Sequence, residues 1–339
     1  MGLIYDLSQK YKTLSIVGMS KNAGKTTALN YLIEEAMDEG VMLGITSTGR
    51  DGETEDLVTG TEKPRVYLDE DTLVAVPSFL YDMSDAGLEV VKETKYSTAI
   101  GTLLICRVKS AGYVQVAGPV INAEQKMLCQ DMLNEGCDMV LIDGAIDRKT
   151  IASPDTSDAI ILATGAVISR KMNKVVEETA HVVNLYSIDE LEDGIYRDAI
   201  ESYKHEDKIM TISKSGEVKK LDLLTGLGAA RHIDEAIEED TEFVFIPGAF
   251  TNSVISDIST KKLKQVRFVL KDPTKIFINP MDWGKLRKRG FRVSVLKKIE
   301  IALITVNPWA PAGYTFDNRS LLEAMKEAIP DIPVIDVRM

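Results

Sequence analysis

"SIVGMSKNAGKTTALN", residues 15–30, decides the fold. With the two residues before it, the stretch opens as "TLSIVG", a short apolar run with β-branched members, which predicts a buried strand. Ala23 and Gly24 then permit close approach of the backbone. "KTTALNYLIEEAMDEG" places Leu29, Leu32, Ile33, Ala36 and Met37 at helical spacing, and Gly40 ends the pattern. The order is strand, loop, helix. Loop N–H groups, with the positive end of a helix behind them, form a concave site suited to phosphates. Gly18, Asn22, Ala23, Gly24, Lys25, Thr26 and Thr27 are the expected cradle. Lys25 is placed to reach β- and γ-phosphates, and the Thr26 hydroxyl to ligate Mg²⁺.

The spacing departs from the usual P-loop (Walker A) form, which has four residues between its glycines. Here Met19 stands at the usual first-glycine position and Gly18 lies one residue earlier. "GMSKNAGKTT" resembles the P-loops of dethiobiotin synthetase and of the cobyric-acid and cobyrinic-acid amide synthases. A related class of ATPases carries a second lysine five residues before the P-loop lysine. In this chain Ser20 occupies that position and Lys21 follows it, which weakens the case for a lysine reaching across a dimer.

A second signal lies in "CDMVLIDGAIDR". Met139 to Ile142 reads as a buried strand with Asp143 at its carboxyl end, where an acid can hold Mg²⁺ beside the P-loop threonine. Gly144 and Ala145 leave room for phosphate, and Arg148 is either a phosphate or inter-subunit contact or a salt-bridged loop residue. "VMLGIT" reads as the strand after the P-loop helix, and "STGRDGE" follows it as a loop facing the same crevice. Asp51 is a candidate Mg²⁺ ligand or orienter of an attacking group, and Arg50 a candidate phosphate contact; the alternative is an Asp-Gly turn with a purely conformational role. Lys25, Asp51 and Asp143 are therefore the expected catalytic set, and Thr26, Asp51 and Asp143 the expected metal set.

The wider pattern predicts an α/β fold: a P-loop NTPase with a mostly parallel sheet, flanking helices, a β-hairpin elaboration and a second, smaller α/β domain. "RVYLDEDTLVAVP" and "GTLLICRVKSAGYVQVAGP" read as hairpins of an elaboration over 61–120, with "DAGLEVVKET" a short helix between them. "AIILATG" and "HVVNLYSI" read as further parallel strands. A change of pattern near residue 190 divides a nucleotide-binding domain, 1–190, from a smaller domain, 191–339. In the latter, "IPGAFTNS" reads as a weak anion loop, and "VNPWAPAGYTF" as a packed or partner-docking loop.

Composition narrows the class. The 339 residues carry 52 acidic and 40 basic side chains, a net charge of −12 that argues against nucleic-acid binding. "KLRKRGFR", 285–292, reads as a solvated helix end. No apolar run approaches membrane length and no signal peptide is visible, so a cytoplasmic protein without membrane contact is expected. Cys106, Cys129 and Cys137 have no metal spacing, and His181, His205 and His232 form no motif. No Asn-Lys-x-Asp guanine signature follows "ILATG" or "HVVNLY", which favours ATP over GTP.

Beyond these motifs, the chain resembles the P-loop subunit family of the ATP-dependent reactivases of lysine 5,6-aminomutase. The resemblance rests on "GMSKNAGKTT", "GITSTGRDGE", "AGYVQVAGP", "LIDGAIDR" with "ASPDTSDAIILATGA", and "VNPWAPAGYTFD". It implies ATP and Mg²⁺ as ligands, and hydrolysis driving exchange of damaged cobalamin from an adenosylcobalamin-dependent aminomutase. It also implies a mismatch-repair-like ATPase subunit as partner; a homodimer stays open. The rival reading is a ligase of the dethiobiotin synthetase type acting on a small carboxylate, with Lys21, Arg50 or Arg148 as the positioned cation. A third is a nucleotide switch with little turnover. No Cys–His amidotransferase arrangement is visible.

Overall fold

The computed structural model describes residues 2–48, 65–144, 156–222 and 229–338. In chain order it begins with α1 (Leu3–Lys10), β1 (Thr13–Gly18), α2 (Lys25–Glu39) and β2 (Leu43–Ser47). Then come β3 (Val66–Leu68), β4 (Leu73–Pro77), β5 (Gly87–Thr98), β6 (Gly101–Ser110), β7 (Gly112–Val114), α3 (Asn122–Asn134), β8 (Met139–Asp143), β9 (Ala159–Gly165) and α4 (Met172–Tyr186). A middle stretch adds β10 (Ile209–Ser213), β11 (Val218–Leu221), β12 (Thr241–Ile246), β13 (Phe250–Thr251), β14 (Arg267–Leu270), β15 (Ile276–Phe277) and β16 (Arg292–Val295). The chain ends with β17 (Ile301–Asn307), β18 (Trp309–Ala310), β19 (Tyr314–Thr315), the helix Asn318–Ala328 and β20 (Val334–Asp336).

The fold is mixed α/β. Its main sheet has nine strands in the order β20-β17-β9-β1-β8-β2-β4-β6-β5. From β20 to β4 every neighbouring pair is parallel; β4–β6 and β6–β5 are antiparallel. Parallel strands need both faces covered, and the side-chain alternation supplies two apolar faces. Leu14, Ile16 and Leu141 pack with Leu29, Leu32 and Ile33 of α2. Val140 and Ile142 belong to the opposite layer, with Leu128, Cys129 and Met132 of α3.

The domain division differs from the sequence-based one. The two compact units are Met1–Thr179 with Glu300–Met339, and Ala180–Ile299. The smaller unit is thus an insertion, and 191–339 is not one domain. The physical reason lies in "IALITVN": all seven residues are buried, as only an interior strand of a covered sheet requires. They run parallel to β9 and carry β20 on their other side.

Three local expectations also change. "DAGLEVVKET" is not helical: its residues from Gly87 onward lie in β5, paired with β6 from Gly87↔Ser110 to Thr98↔Gly101. Glu and Lys favour helix weakly, and the long antiparallel pairing overrides them. Tyr96 anchors this strand, buried and donating its hydroxyl to Asp131 Oδ2 at 2.9 Å. "HVVNLYSI" is not a strand but mostly the last part of α4, whose Val175, Thr179, Val183 and Tyr186 keep helical spacing. The 61–120 region is not a set of separate hairpins: β4 joins the parallel sheet beside β2, while β3 pairs with β7.

The inserted unit has a five-stranded sheet, β11-β10-β12-β14-β16. β12, β14 and β16 are parallel, and β10 is antiparallel to both neighbours. β10 and β11 form a hairpin turning at Gly216 with φ +86°. Its core has two parts: one built on Met210, Ile212, Phe245 and Val269, and a ring cluster of Phe250, Phe268, Phe291 and Trp283.

Gly165 tests the returning strand. A Cβ there would lie 2.1 Å from the Asn307 carbonyl oxygen. Gly165→Ala should therefore lower unfolding free energy by about 1–3 kcal/mol, because backbone of β9 or β17 must shift. Urea melts of the two proteins measure this, and equal midpoints would contradict the packing of β17 against β9.

Candidate functional site

β1 lies at the point where the sheet reverses its winding. In chain order β1 is followed by β2, two places along the sheet on one side, whereas β8 is followed by β9, two places along on the other. At such a reversal the crevice outside the carboxyl ends of the strands is the usual place for a ligand in open α/β sheets.

The loop at 19–24 occupies that crevice. It is held by the Met19 amide donating to Ala163 O on β9 at 2.9 Å, and by Ala23 N to Ser20 O at 3.2 Å. Two residues are left-handed, Asn22 at φ +64° and Gly24 at φ +103°. Asparagine and glycine are the residues that adopt this conformation most readily. Alternating right- and left-handed residues turn successive amides toward one concave side. A Cβ on Gly24 would lie 3.1 Å from the Asn307 Cβ, so the loop also needs glycine for space. A Cβ on Gly18 would lie 3.1 Å from Lys25 Cγ, which places the Lys25 stem back across the loop. α2 starts at Lys25 and has no acidic residue in its first turn. Its first-turn amides and macrodipole thus favour an anion without a competing carboxylate. Ala23 is buried, Lys25 and Thr27 half-buried, and Thr26 and Lys21 exposed.

Asp143 comes to the same edge. It is the last residue of β8, in register with Ile16 of β1 and Ser47 of β2. Its carbonyl accepts from Thr48 N at 3.1 Å, and the next amide, Gly144 N, donates to Ile16 O at 3.1 Å. The structure therefore brings Gly18, Asn22, Ala23, Gly24, Lys25, Thr26, Thr27 and Asp143 to one end of the sheet. Arg50, Asp51, Ala145 and Arg148 lie outside the described residues.

Asn307 is the residue that sequence reading missed. It ends β17, and its Nδ2 donates to Asn22 O at 3.4 Å. Its Oδ1 accepts from Trp309 N at 3.1 Å. A narrow crease beside the loop, with no room for a water-sized sphere, is lined by Ala23, Gly24, Thr27, Asn307 and Arg338, among others. The available signal was an apolar run ending in Asn-Pro, the same strand-then-polar pattern that marks Asp143; nothing local tied it to a loop 285 positions upstream.

Other candidates resolve as structural. "IPGAFTNS" leads into a helix of four residues, too short to offer an anion site. "KLRKRGFR" ends the helix Pro280–Lys288, where basic side chains complement the helix dipole. His181 is buried and bonded through Nε2 to Ile278 O. Among the described residues, no group of three or more His, Cys, Asp or Glu is arranged to hold a metal ion. No helix among them is long and apolar enough to cross a membrane.

The three cysteines are buried and free. Burial disfavours their thiolates and pushes each thiol up to about 12. A thiol reagent at pH 8 should label none of them in the folded protein and all three in guanidinium. Unfolded thiols ionise near pH 8.5, so above that the unfolded state loses protons first. Stability contributed by these groups is thus present at neutral pH and falls between about pH 8.5 and 12. Rapid native labelling would show that the thiols are not enclosed as described.

No protein-family model, curated protein or solved structure matches the chain.

Proposed function

We propose that the chain is a P-loop ATPase that binds ATP with Mg²⁺ and uses hydrolysis to remodel a partner. The partner class is that implied by the resemblance: an adenosylcobalamin-dependent aminomutase, with a mismatch-repair-like ATPase subunit. The observation that carries the nucleotide reading is the arrival of the left-handed loop Asn22–Gly24, the Lys25 stem and Asp143 at the reversal point of the sheet. The residues present suit the group. Loop amides and an acid-free first helical turn fit a polyanion, and a threonine hydroxyl with a strand-end carboxylate are the hard oxygen donors that Mg²⁺ takes.

In this reading each residue has a distinct task. The amides of Asn22 and of Gly24 to Thr26 hold phosphate oxygens. Lys25 lays a positive charge along them, worth most where water is excluded. Thr26 and Asp143 would hold the metal. Mg²⁺, when bound, neutralises charge developing on the phosphates. Asn307 fixes the loop from outside through its bond to Asn22. Asp51 remains the candidate for orienting the attacking water.

Titration of the full chain with Mg-ATP tests the reading. Lys25→Ala should weaken affinity about tenfold or more, and Asn307→Ala by a smaller factor. Unchanged affinity in a folded Lys25→Ala protein would remove the nucleotide assignment. Turnover by the chain alone should be slow and should rise when the mismatch-repair-like subunit and an inactivated mutase are added. Fast turnover alone with a small carboxylate, indifferent to both proteins, would establish the synthetase reading instead.

A further inference from the structure

At the end of α2 remote from the glycine-rich loop lies a groove enclosing about 490 Å³. One wall is apolar: Ile33, Ala36 and Met37 on α2, and Met42 after the Gly40 turn. The other is the acidic turn Asp69–Glu70–Asp71 between β3 and β4. Met37 is 52% exposed, unusual for a methionine on the helix that covers the main sheet.

The acidic turn is rigid. Thr72 N donates to Asp69 O at 3.3 Å and Asp71 N to Val108 O at 2.9 Å. Asp71 is left-handed, at φ +69°. Arg107 donates to backbone carbonyls: Nη1 to Asp71 O at 3.3 Å and Nη2 to Glu135 O at 3.2 Å. Among the described residues no lysine, arginine or histidine makes an ion pair with the carboxylates of Asp69, Glu70 or Asp71. Nor do these carboxylates converge, among the described residues, on a cation site. Among the described residues, three carboxylates therefore face an apolar, adaptable methionine wall without an ion-pair partner.

We propose that this groove docks a basic segment of a partner protein, one carrying lysine or arginine beside a large apolar side chain. Charge complementarity selects the basic class, and Met37 and Met42 accept an apolar anchor whose shape need not be fixed. A second copy of this chain is disfavoured, because its net charge of −12 is of the same sign as the groove. The docking surface goes beyond the nucleotide reading and does not rest on it.

The test uses the full chain without nucleotide, so its failure is distinct from failure of ATP binding. The probe is a short fluorescein-labelled amphipathic peptide of leucine and lysine, with a leucine–glutamate peptide as control. Anisotropy is read for the unaltered chain and for three variants: D69N/E70Q/D71N; Met37→Gln; and E235Q/E239Q/D240N, which removes equal charge from the inserted unit. Asparagine tolerates the left-handed conformation at 71, and Met37 is half-exposed, so each should fold; matching thermal melts check this. Binding of the lysine peptide should weaken about tenfold in the first variant, about fivefold in the second and less than about twofold in the third. Equal loss in the third variant, unchanged binding in Met37→Gln, or equal binding of the glutamate peptide would each overturn the proposal. So would a dimer, seen by sedimentation of the chain alone, that Met37→Gln dissociates, since the occupant would then be a second copy.

Discussion

β1 is hydrogen-bonded to a parallel strand along each edge and covered by side chains of a helix on at least one face. The chain reaches its two neighbours in opposite winding senses, and that reversal is the constraint on which the site depends. Loops that diverge from adjacent strand ends cannot fill the space between them. The residue after β1 must therefore turn sharply, stay close to the sheet and start a helix. Gly18, Asn22 and Gly24 are the residues that permit this, through small size or left-handed backbone. A cradle of amides is then a consequence of covalent geometry rather than of an added binding element.

Much of this was legible in local pattern. β1, α2, β2, β8 and β9 appear in the sequence because each is a short periodic segment bounded by turn residues, and Asp143 was found because a polar residue ends an apolar run. What local pattern could not carry was partnership at a distance. β5 contains good helix formers, and only the presence of β6 beside it makes it a strand. "HVVNLYSI" is apolar enough for either state, and the helix already running from Met172 decides it. The same limit hid Asn307, whose role exists only after β17 has crossed back to β9.

The return of β17 also explains why a whole unit can stand between β9 and the last strands. Ala180–Ile299 has its own sheet and its own buried side chains, including the stacked Phe250 and Phe291 rings 5.5 Å apart. An insertion with a core of its own need not borrow apolar surface from its host. The host, by contrast, is incomplete without the segment that follows the insertion. β9 is buried along its whole length, and without β17 it would be an open, apolar edge of the kind that promotes aggregation.

α2 runs from the loop at 19–24 to the groove beside the acidic turn. Its first residue stands at the glycine-rich loop, and its last turns, Ile33 to Gly40, line the groove beside Asp69–Asp71. Fifteen residues at helical rise span about 22 Å. A ligand at either end influences the other only if it binds two arrangements of the chain unequally. The buried stripe Leu29, Leu32, Ile33 and Ala36 fixes α2 against β1, β2 and β8, and close-packed interfaces resist continuous sliding. Any coupling between the two ends would therefore have to move α2 against that packed stripe.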